Sequence, residues 1–340
     1  MTRIKFPLSV LILPACFFLG FTAPSSAQVS IESGSMDVHW DAGAETCGPA
    51  ATGSPIQVHA YNAQTFVLRE KLCATWEAPF MYLLVGSKRA LLIDTGDIGD
   101  PNVMPLEKTV MGLLPGDAES KIPLIVVHTH GHLDHREGDR QFENRPGVQL
   151  VPSDLAHVRR YFGFADWPNG TAQVDLGDRI IDVLPAPGHH PAHVVYYDRN
   201  TGIVFSGDYL LQGRILVDDL AAYQASARRV AEFVKDRPVS YVLGGHIEKN
   251  SAGELLPWQS TYHPGEHVLQ LTKADVLALP AALAKFNGFY SEEGGFVMEN
   301  SMRILAVIAA VAILVLVAVV VLLFRLIRRR KRSSARAHSS

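Results

Sequence analysis

The stretch His130-Gly131-His132-Leu133-Asp134-His135 decides how this chain is interpreted. It holds three imidazoles and a carboxylate in six residues, although only 14 of the 340 residues are histidine. A chance match to H-x-H-x-D-H in such a chain has odds of roughly one in a thousand. Imidazole nitrogens and carboxylate oxygens are preferred ligands of zinc and similar first-row metals. Alternate side chains of an extended segment project to one side, so His130 and His132 can bind one ion while Asp134 and His135 reach a second.

Ligand-type side chains also follow predicted strands elsewhere in the chain. Four compact, β-rich apolar runs are typical of buried strands. The runs, each with the side chain that follows it, are 124–127 before His130, 180–184 before His189, 203–205 before Asp208 and 241–243 before His246. Open α/β sheets place their ligand sites outside the carboxyl ends of strands. Any one of these residues alone would be an ordinary loop residue, but their shared placement predicts one cleft.

Helical segments alternate with the strands. Residues 104–114, 154–162 and 224–234 have helical patterns, and residues 80–85 and 90–94 predict a hairpin. This alternation favours an α/β architecture with a layered core.

At this point the sequence resembles the metallo-β-lactamase fold superfamily of hydrolases. The motifs that carry the resemblance are 129–135, 186–193, 205–208 and 244–246, with 92–96 similar to an early strand and turn of that fold. The resemblance spans about residues 57–246. It implies a four-layer αβ/βα sandwich, in which two mixed sheets face each other with helices outside.

The resemblance also implies the ligands. It assigns His130, His132 and His189 to a first metal, Asp134, His135 and His246 to a second, and Asp208 to a bridging position. Two zinc ions are expected, with iron or manganese as alternatives. Asp134 is the expected catalytic residue, which aligns a metal-bridging hydroxide and passes a proton to the leaving group. Asp94 either orients a ligand imidazole or caps a turn, and His193 serves local packing or hydrogen bonding around the ligands.

Three positions differ from particular branches of this superfamily and so narrow the reactions to be expected. Asp208 stands where the lactamases best known from antibiotic resistance usually carry Cys, and His132 stands where the flavo-diiron branch carries Glu. Leu211 replaces the Tyr of the quorum-quenching lactonases. We therefore expect an enzyme, a hydrolase of an ester, lactone, thioester or amide bond in a small molecule. The candidates for substrate contacts are Tyr209, Trp258, Tyr262 and His263, for which packing against the C-terminal segment is the alternative.

Three other functions are also compatible with these motifs. One is a mononuclear iron dioxygenase acting on persulfides, which shares the early signature. Another is a β-lactamase, and the third is a membrane-bound metal-binding protein without catalysis. The complete set of seven ligands argues against the third.

Both ends of the chain indicate a membrane protein. Residues 1–27 combine Arg3 and Lys5, an apolar run and small residues before a cleavage site after Ala27, as in a secretory signal peptide. An uncleaved anchor is the alternative. Residues 304–324 contain no charge and are long enough to cross a bilayer, and residues 325–340 form a basic tail. The positive-inside rule predicts a cytoplasmic tail and a catalytic domain in the periplasm or outside the cell.

The region between these two ends is acidic and contains two cysteines. Nine of the 31 Lys and Arg residues lie in the predicted signal or beyond Arg303, which leaves 22 against 34 Asp and Glu, a net charge of −12. So acidic a domain is a poor match for nucleic acid. Cys47 and Cys73 are the cysteines outside the signal, and a disulfide is predicted, with two buried free thiols as the alternative. The predicted parts are a mature leader (28–56), a hydrolase domain (57–272) and a helical juxtamembrane segment (273–303).

Overall fold

The computed structural model describes Thr2 and residues 31–48, 54–117 and 120–337, with side chains through residue 328. Apart from Thr2, the predicted signal peptide lies outside these residues. The helices are α1 (Leu106–Leu113), α2 (Leu155–Phe162), α3 (Leu220–Val234), α4 (Lys273–Lys285) and α5 (Ser301–Ala337). The strands are β1 (Ile56–Asn62), β2 (Thr65–Glu70), β3 (Phe80–Val85), β4 (Ala90–Ile93), β5 (Leu124–Val127), β6 (Val148–Leu150), β7 (Ala172–Asp175), β8 (Ile180–Pro185), β9 (Val194–Asp198), β10 (Ile203–Gly207), β11 (Arg214–Leu216), β12 (Tyr241–Gly244), β13 (Gln270–Leu271), β14 (Tyr290–Glu293) and β15 (Phe296–Glu299).

Two mixed sheets organise the described residues. One has the strand order β1-β2-β3-β4-β5-β6, and the other has the order β13-β12-β10-β9-β8-β7. In the first sheet β4, β5 and β6 pair in parallel. In the second sheet β10 and β12 are parallel, and β8 runs in the same direction because both β8 and β10 are antiparallel to β9. The strands that precede the ligand-type residues of this sheet therefore end on the same side.

The buried side chains of β3 show why the sequence forms four layers. Phe80, Tyr82 and Leu84 pack between the two sheets, whereas Met81 and Leu83 point to the outer face, which α1 covers. Successive side chains of a strand alternate between faces, so a strand covered on both faces is apolar throughout. Helices α3 and α4 cover the outer face of the second sheet in the same way. The predicted αβ/βα sandwich is confirmed.

Residues 273–300, predicted from the sequence as a helical juxtamembrane segment, pack on the domain. Helix α4 packs with α3, and its Val276 and Leu279 are buried in the core. Strands β14 and β15 join β11 in a three-stranded sheet, and Met298 of β15 is buried in the same core. Strand β15 pairs with β11, some 80 residues earlier in the chain, and no local sequence pattern predicts such a contact.

The described part of the predicted leader, residues 31–48 and 54–56, lies against the domain. Met36 joins the core between the sheets, and the ring of Trp40 meets that of Phe80 with centroids 5.0 Å apart. Cys47 and Cys73 form a disulfide, with Cα atoms 5.2 Å apart. At the other end, Ser301–Arg328 is, within the described part of the chain, the one helix long and apolar enough to span a membrane.

Candidate metal centre

Four loops meet at one edge of the sandwich and carry the ligand-type residues. They follow β5 in the first sheet and β8, β10 and β12 in the second. Backbone hydrogen bonds join the sheets there, from Val194 N to the Thr129 carbonyl at 2.8 Å and from Phe80 N to the Gly245 carbonyl at 2.8 Å. Glycine is required at Gly245, since a Cβ would lie 2.4 Å from Asp208 Oδ1. The cleft predicted from the strand ends therefore lies between two sheets rather than along one.

The first donor group consists of His130, His132 and His189. His130 Nε2 lies 2.9 Å from His132 Nδ1, and His189 Nε2 lies 3.2 Å and 3.1 Å from these two nitrogens. Burial lowers the pKa of His189 to about 4 and that of His130 well below its usual range. These two imidazoles are therefore neutral near pH 7.

The second donor group consists of Asp134, His135, Asp208 and His246. Asp134 Oδ2 lies 3.2 Å from the Nε2 atoms of both His135 and His246. Burial opposes a charge on His246, but the Asp208 and Asp134 carboxylates outweigh it and raise its pKa to about 10. Burial likewise opposes the charge of Asp134, but His135 and His246 hold its pKa well below the usual range.

Asp208 lies between the two groups. Its Oδ2 is 3.6 Å from His189 Nε2 and 4.0 Å from His130 Nε2, whereas its Oδ1 is 3.4 Å from His135 Nε2 and 3.6 Å from His246 Nε2. Among the described residues, Oδ1 is buried without a hydrogen-bond partner. One carboxylate thus offers an oxygen to each group, as a bridging ligand does.

Protein groups hold the other ring nitrogen of four of the histidines, which fixes each ring's orientation. These contacts are His135 Nδ1 to Asp94 Oδ2 at 2.9 Å, His246 Nδ1 to the Glu77 carbonyl at 2.8 Å, His189 Nδ1 to the Leu216 carbonyl at 3.2 Å and His130 Nδ1 to Thr129 Oγ1 at 3.1 Å. A proton on a nitrogen that faces a carbonyl or carboxylate leaves the Nε2 lone pair free to bind a metal.

The donor set fits divalent cations. Three ring nitrogens of the first group lie within 3.2 Å of one another, and a single proton can satisfy only one pair of them at a time. In the second group Asp134 and Asp208 are carboxylates in a largely buried cluster, where unpaired charge is costly. A cation within each group satisfies the nitrogens and balances the carboxylates.

Two further predicted residues lie next to these groups. Asp94 also accepts hydrogen bonds from Thr129 N at 2.7 Å and Thr129 Oγ1 at 2.9 Å, so it holds both the strand end and His135. His193 is buried, and its ring stacks on His130 with centroids 5.0 Å apart. Neither of its nitrogens has a hydrogen-bond partner among the described residues. His193 therefore packs against a ligand ring rather than bonding to it.

A surface pocket opens beside His246. Its lining includes Trp76, Glu77, Arg214, Trp258 and His263. The rings of Trp76 and Trp258 lie 5.1 Å apart, and Trp258 is 55% exposed. The Arg214 guanidinium lies 5.4 Å from the centre of the Trp258 ring. The structure thus brings two of the four predicted substrate contacts, Trp258 and His263, to this pocket.

The prediction for Tyr209 is wrong. Its side chain is fully buried, and its ring stacks on Tyr223 with centroids 5.6 Å apart, so no substrate can reach it. The chain turns after Asp208, which directs the next side chain into the core. Tyr262 is not among the residues that line the pocket; its backbone pairs with Gly43. His263 lines the pocket but is held by Glu266, at 2.8 Å from its Nδ1.

Sequence reasoning missed Trp76, Glu77 and Arg214. Trp76 and Glu77 lie in the loop between β2 and β3. Trp76 precedes His246 by 170 residues, and no sequence motif includes either residue. The nearest signal in the sequence is Cys73, whose disulfide with Cys47 ties this loop to the predicted leader. Arg214 lies on β11, a three-residue strand too short to predict from its sequence.

With this geometry established, comparison with known proteins identifies the family. The sequence profile of the metallo-beta-lactamase superfamily matches residues 74–246, just over half of the chain. The chain belongs to this superfamily, as its motifs predicted, and is a metallo-hydrolase.

Individual relatives share only a minority of their residues with this chain. The chain is 27% identical over 234 residues to the acyl-coenzyme A thioesterase MBLAC2 of Homo sapiens, covering 58% of this chain and 83% of the relative. It is 27% identical over 146 residues to the hydroxyacylglutathione hydrolase GloC of Haemophilus influenzae, covering 38% of this chain and 64% of the relative. A metallo-beta-lactamase from Pontibacter korlensis superposes with a TM-score of 0.45 at 19% identity, covering 66% of this chain and 99% of that structure.

Proposed function

We propose that this protein is a membrane-anchored, extracytoplasmic hydrolase that binds two zinc ions and cleaves the acyl–sulfur bond of a thioester. The observation that carries the proposal is the pair of donor groups that share Asp208. The choice among ester, lactone, thioester and amide bonds rests on the relatives, whose names describe the hydrolysis of acyl-coenzyme A and of hydroxyacylglutathione. Both compounds are thioesters.

The ligand roles follow the two donor groups. His130, His132 and His189 would hold one ion, Asp134, His135 and His246 would hold the other, and Asp208 would contact both. Two bound zinc ions supply a water of lowered pKa and a Lewis acid for the carbonyl oxygen. Hydrolysis forms a bond from water oxygen to the acyl carbon and breaks the carbon–sulfur bond. One water proton goes to the leaving sulfur, and the new acid ionises.

Asp134 is the proposed proton carrier. Its Oδ2 lies 3.2 Å from the Nε2 atoms of both His135 and His246, so we assign Oδ2 to the second ion and Oδ1 to the attacking water. Oδ1 can therefore accept a hydrogen bond from the attacking water and hold it in line, then return the proton to the leaving group. Trp76 and Trp258 form an apolar surface beside His246, suited to the acyl carbons nearest the scissile bond.

The membrane part of the proposal rests on the apolar helix Ser301–Arg328 and on the sequence of the two ends. The basic tail after this helix favours the cytoplasm, and the signal-like N-terminus favours export of the domain. The Cys47–Cys73 disulfide agrees with an oxidising compartment.

The test combines metal analysis with a hydrolysis panel. Full-length protein purified in detergent should contain two zinc ions per chain and hydrolyse acyl thioesters faster than esters, lactones, amides or β-lactams, with the activity lost to a chelator. His132→Ala should lose one metal and at least a thousandfold in kcat. His157→Ala, which removes an exposed histidine of α2, is the matched control and should retain both.

Several results would contradict the proposal. A His132→Ala protein with full metal content and unchanged hydrolysis would remove its basis. One iron per chain without hydrolysis would favour the persulfide dioxygenase, and a preference for β-lactams would favour a lactamase. Two metals without any hydrolysis would favour a metal-binding protein.

A further inference from the structure

The junction between the domain and helix α5 contains no linker. Strand β15 ends at Glu299 and α5 begins at Ser301, so a single residue, Asn300, separates the sheet from the apolar helix. A flexible tether would need a run of residues without secondary structure. Here the direction of the helix is set by the strand that precedes it.

Asn300 fixes this junction through its backbone N–H and both polar atoms of its side chain. It is 3% exposed, and its Nδ2 donates to the Val217 carbonyl at 2.6 Å. Its Oδ1 accepts from Arg303 N at 2.9 Å and so caps the first turn of α5. Its own N–H donates to the Phe289 carbonyl at 2.8 Å. One buried residue therefore ties the helix to two segments of the domain.

The segment that holds Asn300 also holds the first donor group. Val217 follows Leu216, whose carbonyl accepts from His189 Nδ1 at 3.2 Å. Asp218 N and Asp219 N donate to the Gly188 carbonyl at 3.0 Å and 2.8 Å. The path from Asn300 to His189 consists of the hydrogen bond to the Val217 carbonyl, the backbone of Val217, and the hydrogen bond from His189 to the Leu216 carbonyl. Its length is roughly 10 Å.

The charge-free run of the helix begins at Ile304, four residues after Asn300. At 1.5 Å per residue, Asn300 would lie about 6 Å above the hydrocarbon, within a headgroup layer ~5–8 Å thick. Phe289 and Tyr290, next to Asn300, are 45% and 41% exposed. Exposed aromatic residues at this level are typical of the membrane–water interface.

We propose that the Asn300 junction seats the catalytic domain directly on the bilayer in a fixed orientation, and that the substrate is an acyl amphiphile whose chain stays in the lipid while its head reaches the site. This inference rests on the proposed hydrolase activity and membrane anchoring. Each methylene drawn from lipid into water costs free energy, so a site held close to the hydrocarbon favours long chains over a site on a long tether.

The first test compares two substrates with full-length protein in phosphatidylcholine vesicles. One is a water-soluble acetyl thioester and the other is a palmitoyl thioester partitioned into the vesicles. Inserting twelve Gly and Ser residues between Asn300 and Ser301 should leave kcat/KM for the acetyl substrate within twofold and lower the rate on the palmitoyl substrate at least tenfold. The same insertion after residue 337 is the control and should change neither.

An unchanged ratio of the two rates after the insertion would overturn the inference. An equal fall of both rates would also overturn it, since the junction would then serve only the integrity of the site. A wild-type protein inactive on both substrates would instead overturn the hydrolase proposal.

A second measurement does not depend on activity. The additional tryptophan of a Phe289→Trp variant, compared with wild type, should be quenched by brominated phospholipid. The twelve-residue insertion should reduce this quenching at least threefold. Absence of quenching before the insertion would show that the domain does not sit on the lipid, whatever the activity.

Discussion

Replacing Asp94 by Asn tests how the second donor group is prepared to bind its metal. Asp94 is buried and accepts hydrogen bonds through both oxygens: Oδ1 from Thr129 N at 2.7 Å, and Oδ2 from Thr129 Oγ1 at 2.9 Å and His135 Nδ1 at 2.9 Å. Its φ of +66° is a conformation that Asn adopts readily, so the substitution should not strain the backbone. The change is therefore confined to one oxygen.

The amide that replaces the Asp94 carboxylate can take only one orientation. Thr129 N–H requires an acceptor, which keeps the amide oxygen at the Oδ1 position and places the NH₂ group against His135 Nδ1. Nδ1 must then accept, so the ring proton moves to Nε2. Nε2 is the nitrogen that faces Asp134 Oδ2 at 3.2 Å, and once protonated it cannot bind a metal.

We expect Asp94→Asn to weaken metal binding at one donor group and not at the other. Changing a partner of a metal-binding histidine typically weakens metal affinity about 10- to 100-fold, or about 1.4–2.7 kcal/mol. We expect this loss at the Asp134–His135–His246 group and less than a threefold change at the His130–His132–His189 group. A competition titration with a chromophoric chelator on the purified protein resolves the two sites.

A matched control comes from a similar pair nearby. His128 Nε2 contacts Asp139 Oδ1 at 2.8 Å, but His128 belongs to neither donor group. Asp139→Asn should leave both metal affinities unchanged. The reasoning is refuted if Asp94→Asn binds the second metal as tightly as wild type, or if it loses both metals equally while remaining folded.

Two stability predictions follow from buried ionisable groups that belong to neither donor group. Arg179 and Asp198 form a fully buried ion pair at 2.6 Å, so Arg179→Ala should lower the free energy of unfolding by about 3–5 kcal/mol in denaturant titrations. The control is Arg145→Ala, which breaks a pair with Glu107 in which the arginine is 49% exposed and the glutamate 18%, and which should cost about 0–1 kcal/mol; similar costs for the two variants would contradict the burial argument. Burial raises the pKa of Glu70 from 4.5 to about 8, so its contribution to stability is fully present below pH 4.5 and is lost as the pH rises through 8, by up to ~5 kcal/mol. In thermal unfolding from about pH 5 to pH 9, Glu70→Gln should flatten this dependence, and an equally steep variant would refute it.

The residues of the two donor groups could be named from the sequence because they belong to short motifs. His130, His132, Asp134 and His135 are neighbours in sequence, and His189, Asp208 and His246 each follow a strand with a clear apolar pattern. Strand direction then determines that these ends meet. The family and fold followed from the same motifs, and both are confirmed.

The side chains that surround the donor groups could not be predicted from local motifs. Whether Tyr209 faces the cleft or the core depends on one turn after Asp208, and the ring of Tyr223 that receives it lies 14 residues further along. The contact of Trp76 with Trp258 joins loops 182 residues apart, for which no local pattern exists.

The sequence by itself identified the residues of the two donor groups, the strands that precede them and the apolar helix at the end of the chain, because each is encoded in residues close together. Only the tertiary structure decided that Tyr209 faces the core, that residues 273–300 complete the core, and that Asn300 joins the helix to the domain. These depend on contacts between distant segments, and such contacts form only when the sheets and helices have packed.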